Sequence, residues 1–184
     1  MGFHFERGPL DGPVLIRADV YHDDRGFFFE SYKRSAFVAE EISVDFVQDN
    51  VSHSRRGVLR GLHFQKPPHA QGKLVCALAG RIFDVAVDIR DGSPTFGRWQ
   101  AVELSDENRS LFWVPEGFAH AFLVLSETAT VIYKVTREYA PTYDSGIRWD
   151  DPSLAITWPI AEPLVSPKDA RLGTLAECRG AFPR

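Results

Sequence analysis

The sequence predicts an all-β fold, strands closed into a barrel or sandwich, and three observations lead there. Several segments alternate apolar and polar residues with period two, turn signals recur between them at the spacing of a sandwich or barrel, and helical periodicity is scarce. In chain order, Ser35-Ala-Phe-Val-Ala-Glu-Glu-Ile42 is the one helix candidate, and Ser43-Val-Asp-Phe-Val-Gln-Asp49 reads as the strand after it. Arg81–Arg90 places Phe83, Val85, Val87 and Ile89 on one face, which is a half-buried strand pattern. Trp99–Leu104 and Thr130–Thr136 read the same way. Asp91-Gly-Ser-Pro94, Pro115-Glu-Gly117 and Asp144-Ser-Gly146 are turn signals. A short second helix is expected after Ser166-Pro167, with serine at the cap and proline at the first helical position.

At 184 residues, without a repeat, a low-complexity tract or a linker, the chain is expected to fold as one domain spanning residues 1–184. Hydrophobic residues at 44% and charged residues at 25% are an ordinary globular balance, against both a disordered and a membrane chain. The net charge of −4 and a longest basic cluster of only Arg55, Arg56 and Arg60 give no nucleic-acid footprint. An anionic small molecule needs only one or two guanidinium forks and stays admissible. No apolar run is long enough for a membrane span or a secretory signal, and Cys76 and Cys178 form no redox or metal spacing, so the expected address is cytoplasmic.

Three stretches concentrate polar chemistry. In the first, Gln48, Asn50 and Ser52 share one face of an extended segment, a row of neutral hydrogen-bonding groups on one wall. Arg60 and His63 follow with opposite parity, so both face one cavity only if the strand bulges, for which Gly61 is the plausible place. The second stretch places Lys73 at the start of the apolar run Leu74–Leu78, where it either snorkels to water or serves a site. The third is Trp113–Phe122 followed by Val131-Ile-Tyr-Lys134. Tyr133 shares a face with Val131 and Val135 and is either a core tyrosine or a phenol presented into the barrel.

These stretches resemble the two motifs of the cupin superfamily, small jelly-roll barrels that often hold a metal through a His-x-His pair, a glutamate and a later histidine. Here the second motif stands as Pro115-x-Gly117-x-x-His120. The first has His63-Phe64-Gln65 in place of the histidine pair, and the glutamate expected in the Pro67–Lys73 region is missing. Two histidines without a carboxylate make a poor divalent site, so no metal is expected.

Within that superfamily the sequence resembles the metal-free dTDP-4-dehydrorhamnose 3,5-epimerase family, almost end to end. The resemblance is carried by Asp24-Arg-Gly-Phe-Phe-Phe-Glu30, Gln48-x-Asn50-x-Ser52, Gly57-Val-Leu-Arg-Gly-Leu-His63 and Gln71-x-Lys73-Leu74. It continues through Phe83–Arg90, Ser93-Pro-Thr-Phe-Gly97, Pro115-x-Gly-Phe-Ala-His120, Tyr133-Lys134, Trp149-Asp-Asp-Pro152, Trp158-Pro159 and Ser166-Pro-Lys-Asp169. The resemblance implies a cupin-like jelly roll and no cofactor. It also implies epimerisation at C3 and C5 of dTDP-4-dehydro-6-deoxy-D-glucose to dTDP-4-dehydro-L-rhamnose, in dTDP-L-rhamnose biosynthesis.

The resemblance also assigns roles. His63 is the base and Asp169 its buried partner; a separate reading of Asp169 is a helix-start carboxylate three residues after Ser166. Tyr133 returns the proton on the other face, and Lys73, with Arg60 nearby, stabilises the enolate oxygen. Nucleotide contacts fall to Arg25 and Glu30, contributed by the N-terminal strand of the partner subunit of a homodimer, and to Gln48, Asn50, His120, Asp144 and Lys168. Tyr139, with Phe28, would stack on the thymine. Two positions depart from the family pattern: Asp144 stands where glutamate is expected, and Ala121 where glycine is common. The competing readings are an epimerase of a single centre, C3 or C5, of a related dTDP-4-keto-6-deoxy sugar, a catalytically silent sugar-nucleotide-binding cupin, and a metal-dependent cupin oxygenase.

Overall fold

A computed structural model describes residues 2–183 as two antiparallel sheets laid face to face. Thirteen strands are present among these residues. In chain order they are β1 (Phe3–Arg7), β2 (Val14–Ala18), β3 (Tyr21–Asp23), β4 (Gly26–Phe28), β5 (Gln48–Arg55), β6 (Leu59–Gln65) and β7 (Lys73–Ala79). Then come β8 (Arg81–Asp88), β9 (Trp99–Ser105), β10 (Ser110–Val114), β11 (Phe118–Val124), β12 (Thr128–Val135) and β13 (Asp144–Gly146). One sheet has the order β1-β2-β10-β7-β12-β5, the other β13-β6-β11-β8-β9, and β3 with β4 forms a separate hairpin. The all-β, jelly-roll expectation is met.

Alternation explains the layers. The inward faces of both sheets meet in one cluster, Val75, Ala77, Phe112 and Val131 from the first and Ile82, Ala86, Phe118 and Phe122 from the second. The outer face of the first sheet is not left to solvent: Phe37, Tyr32 and Phe46 cover Ile16, Leu74 and Trp113. The outer face of the second is covered by the C-terminal segment, with Ile147, Leu154 and Leu175 over Val85, Val87 and Ala119. Both sheets are therefore covered on both faces over their central strands, while the outer face of β5 stays open at Asp49, Val51 and His53, so polar residues opposite an apolar face of a central strand also end up inside.

The strand β6 carries the bulge that the parity of Arg60 and His63 requires. Against β11 the register runs His120↔His63 and then Phe122↔Arg60, so β6 spends one residue more than its partner. Gly61 sits there at φ +128, and a Cβ would lie 2.5 Å from Ala121 Cβ and 2.6 Å from the His120 carbonyl oxygen. Only glycine fits.

Three local expectations need correction. The alternating stretch 43–49 enters the sheet only at Gln48. Val44 and Phe46 do pack inward, against the helix-covered cluster, so the alternation there reports burial without a strand ladder. The helix (α1) spans Arg34–Ala39, ending before Ile42 because Glu41 turns to φ +66. With no side-chain cap, it depends on Phe37 packing edge-on against Tyr32, Phe3 and Phe5. The second helix is a single 3-10 turn, Asp169–Arg171, with Pro167 lying before it. The Asp169 amide donates to Ser166 Oγ at 3.0 Å, but the N-cap position of the turn is Lys168 and not the expected serine.

Candidate active site

Between the sheets a cavity of about 460 Å³ is lined by residues of both. His63 and Arg60 reach it from β6, His120 from β11, Lys73 from β7, Tyr133 from β12 and Ser52 from β5, with Asp169 and Lys168 entering from the 3-10 turn. Tyr133 resolves its two readings by doing both: its ring packs on the inner core and lines the cavity.

His63 Nε2 and Asp169 Oδ1 are 2.8 Å apart, with the carboxylate almost wholly buried and the imidazole partly open to the cavity. Burial works to raise the Asp169 carboxyl, but hydrogen bonds from His63, the Gly61 amide and Ser166, with the charge of His63, hold it below the usual carboxylate range. It therefore serves as a fixed anion behind the imidazole. Burial raises the Tyr133 phenol above its ordinary value against the pull of Arg60, so the proton stays on at neutral pH.

Lys73 does not snorkel. It is 8% exposed, and its Nζ donates to the His63 carbonyl oxygen at 3.3 Å. Burial lowers its pKa from 10.5 to about 8, while Asp84 and Asp144 pull it upward and Lys168 pushes it further down. The folded form thus sheds its proton before the unfolded chain does, and stability should rise with pH between those values. Below about pH 8 the full cost of the buried ammonium is present, roughly 3 kcal/mol by the conversion of pKa difference to energy. Lys73→Met should therefore raise the denaturation midpoint at pH 7, and the gain should vanish above the unfolded lysine pKa. Urea melts of both proteins across that range check this; an unchanged or lower midpoint at pH 7 would contradict it.

A second imidazole–carboxylate pair lies beside the first. His120 is the cross-strand neighbour of His63, and its Nε2 meets Asp84 Oδ1 at 2.8 Å, both side chains buried. Among the described residues no three histidine, cysteine, aspartate or glutamate side chains converge as metal ligands.

An adjoining cavity of about 310 Å³ shares His63, Lys73, Tyr133 and Lys168 with the first and continues past Gln48, Asn50, Tyr139 and Asp144. Gln48 bridges this wall, donating to Asn50 Oδ1 at 2.7 Å and accepting the Tyr139 amide at 3.0 Å. Asp144 Oδ2 accepts from the Tyr139 hydroxyl at 3.0 Å and pairs with Lys168 Nζ. Arg60 is anchored from below, its Nε donating to Ser54 Oγ at 3.0 Å. Of the predicted set, Arg25, Phe28 and Glu30 line neither cavity. Arg25 pairs with Asp23 on the β3–β4 hairpin and Phe28 is 59% exposed there.

The comparisons with known proteins point one way. Residues 7–177 match the family model for dTDP-4-dehydrorhamnose 3,5-epimerase. The chain belongs to that family. The dTDP-4-dehydrorhamnose 3,5-epimerase of Methanothermobacter thermautotrophicus is 51% identical over 178 residues, 95% of this chain and 96% of that one. The crystal structure of the Legionella pneumophila dTDP-6-deoxy-D-glucose-3,5-epimerase, in complex with dTDP-4-keto-L-rhamnose, matches with a TM-score of 0.93 at 47% identity, covering 99% of this chain and 98% of that one. A 3'-monoepimerase from Streptomyces bikiniensis in complex with dTDP-quinovose matches with a TM-score of 0.89 at 35% identity, covering 97% and 92%.

The epimerase fold holds two groups that reading the sequence left out, Asp84 and Ser54. Ser54 follows Ser52 on the inward face of β5, so the period-two reading of that wall extended by one step would have found it. Asp84 had no such signal, since it lies opposite the apolar face of its strand.

Proposed function

We infer that the enzyme inverts C3 and C5 of dTDP-4-dehydro-6-deoxy-D-glucose to give dTDP-4-dehydro-L-rhamnose. The observation that carries this reading is the opposition of two proton carriers across one cavity: the His63–Asp169 pair on the β6 sheet and the Tyr133 phenol on the facing β12 sheet, with a buried ammonium beside them.

The 4-keto group acidifies the hydrogens on C3 and C5. His63 takes one as a proton, the electron pair moves into the enolate, and O4 becomes an oxyanion. Lys73 faces that charge with a partly desolvated ammonium, where electrostatic stabilisation is strongest. Tyr133 then gives its proton to the opposite face of the carbon, and the imidazolium and phenolate reset through solvent. Asp169 holds the ring orientation and balances the imidazolium. The wall from Gln48 and Asn50 to Tyr139, Asp144 and Lys168 receives the nucleotide, with the Tyr139 ring exposed for thymine stacking, and Arg60 and His120 hold the intervening part. No metal takes part: His63 and His120 each commit Nε2 to a carboxylate, a donor set short of the three ligands a catalytic metal takes. Incubation with the 4-keto substrate in chelator, followed by product analysis, tests both points. The dTDP-4-dehydro-L-rhamnose product is expected, and inversion at one centre alone would replace this reading with the single-centre one, which the monoepimerase likeness keeps in view.

The hairpin that carries Arg25 and Phe28, with Glu30 just beyond its end, serves a neighbour in this reading. It exposes Tyr21, Phe27 and Phe28, while β5, which bears Gln48 and Asn50, is the edge of its sheet. A homodimer in which the hairpin reaches the partner's cavity would complete the nucleotide end. Sedimentation should show a dimer, and Arg25→Ala should raise KM more than it lowers kcat; a fully active monomer would refute the shared site. A reducing cytoplasm suits two buried, unbonded thiols, Cys76 and Cys178.

A further inference from the structure

Asp84 is the least expected group in the barrel. It sits on the inward face of β8 between Ile82 and Ala86, in the cluster that forms the core between the sheets, and is 0% exposed. Its cross-strand partner is Phe122, so His120 is its diagonal neighbour on β11. Oδ1 engages His120 Nε2, whereas Oδ2 is buried with no hydrogen-bond partner among the described residues. A carboxylate in that position costs several kcal/mol of desolvation. A purely structural acid would be expected to satisfy both oxygens, as Asp88 does two residues on: Arg90 binds both of its oxygens, and Ser93 and Thr95 hydroxyls donate to Oδ2.

We propose that Asp84 is a positioning residue for the reaction: it holds His120 by one ring nitrogen so that Nδ1 is the free one. Burial holds the Asp84 carboxyl above the usual carboxylate range, with His120 and Lys73 opposing that rise only in part. The cavity thus holds two imidazole–carboxylate pairs with different duties. His63, partly open, exchanges protons, and His120, buried, presents a fixed nitrogen.

This rests on the epimerase reading, and its test separates the two. Asp84→Asn keeps the shape and a carbonyl acceptor for His120 while removing the charge. Its kcat should fall on the order of 10- to 100-fold, the range for losing a partner that orients an imidazole. KM should stay within a few fold. An acid that only stabilised the fold would lower the melting temperature and leave kcat in place; a folded variant with unchanged kcat overturns the proposal. Nitrogen-15 NMR of the histidines in the unaltered protein gives a readout that depends on neither folding of the variant nor turnover. A His120 ring protonated at Nε2 is expected, and a neutral ring protonated at Nδ1 alone overturns it. An inactive unaltered enzyme would instead sink the epimerase reading, with the tautomer still deciding the role of Asp84.

Discussion

His63→Ala is expected to abolish both inversion and solvent-proton exchange at C3 and C5. No other group in the cavity combines partial exposure with a buried anion directly behind it: His120 is enclosed, Lys73 is a cation, and Tyr133 keeps its proton. A positioned general base contributes about 10²–10⁴ in rate, and here the enolate cannot form without it, so the loss should reach the upper end. The cavity should still receive nucleotide, because the hydrogen bonds that hold its wall run among Gln48, Asn50, Tyr139, Asp144 and Lys168 and not through the imidazole that also lines it. Affinity for dTDP within a few fold of the unaltered protein, measured by calorimetry, separates lost chemistry from a collapsed site. Residual exchange at a normal rate would place the base elsewhere.

Tyr133→Phe should break the reaction at a different point. The ring keeps its packing against the inner core, so the barrel is preserved, but the hydroxyl is gone. His63 still removes a proton and Lys73 still receives the oxyanion. The enolate then has only the imidazolium to reprotonate it, on the face the proton left. Deuterium from solvent should therefore enter the unreacted sugar while inverted product falls by about 10²-fold or more, the scale of a lost general acid. That dissociation of exchange from inversion is a signature that a packing tyrosine cannot give. Normal epimerisation by the variant would make the phenol a core residue.

How much of this was legible in the sequence depended on which face of each strand carried the signal. Phe83, Val85, Val87 and Ile89 announced β8 correctly, yet the same rule assigns Asp84 and Asp88 to water. Both are wholly buried, because the C-terminal segment covers the apolar face and turns the polar face into the barrel lining. Period two tells which residues share a face and cannot tell that both faces are covered. The opposite parity of Arg60 and His63 was more informative: it demanded a bulge, only Gly61 offered one, and the register shift falls there. Asp169 was readable only through family resemblance, since 106 residues separate it from His63. Its local signal, Ser166 three residues earlier, described the amide contact at the start of the turn and not the carboxylate. The Ser93–Gly97 motif proved to be a scaffold, with Ser93 and Thr95 saturating Asp88 alongside Arg90. The Arg25–Glu30 stretch lines neither cavity of this chain, so its use rests on the proposed dimer.

The most direct test of the central claim, epimerisation by proton removal and return on opposite faces, is NMR of the unaltered enzyme with dTDP-4-keto-6-deoxyglucose in D₂O. Deuterium should enter both C3 and C5 as the sugar acquires the L-rhamno configuration. Inverted product that keeps its original hydrogens, or a substrate that neither exchanges nor inverts, would contradict it.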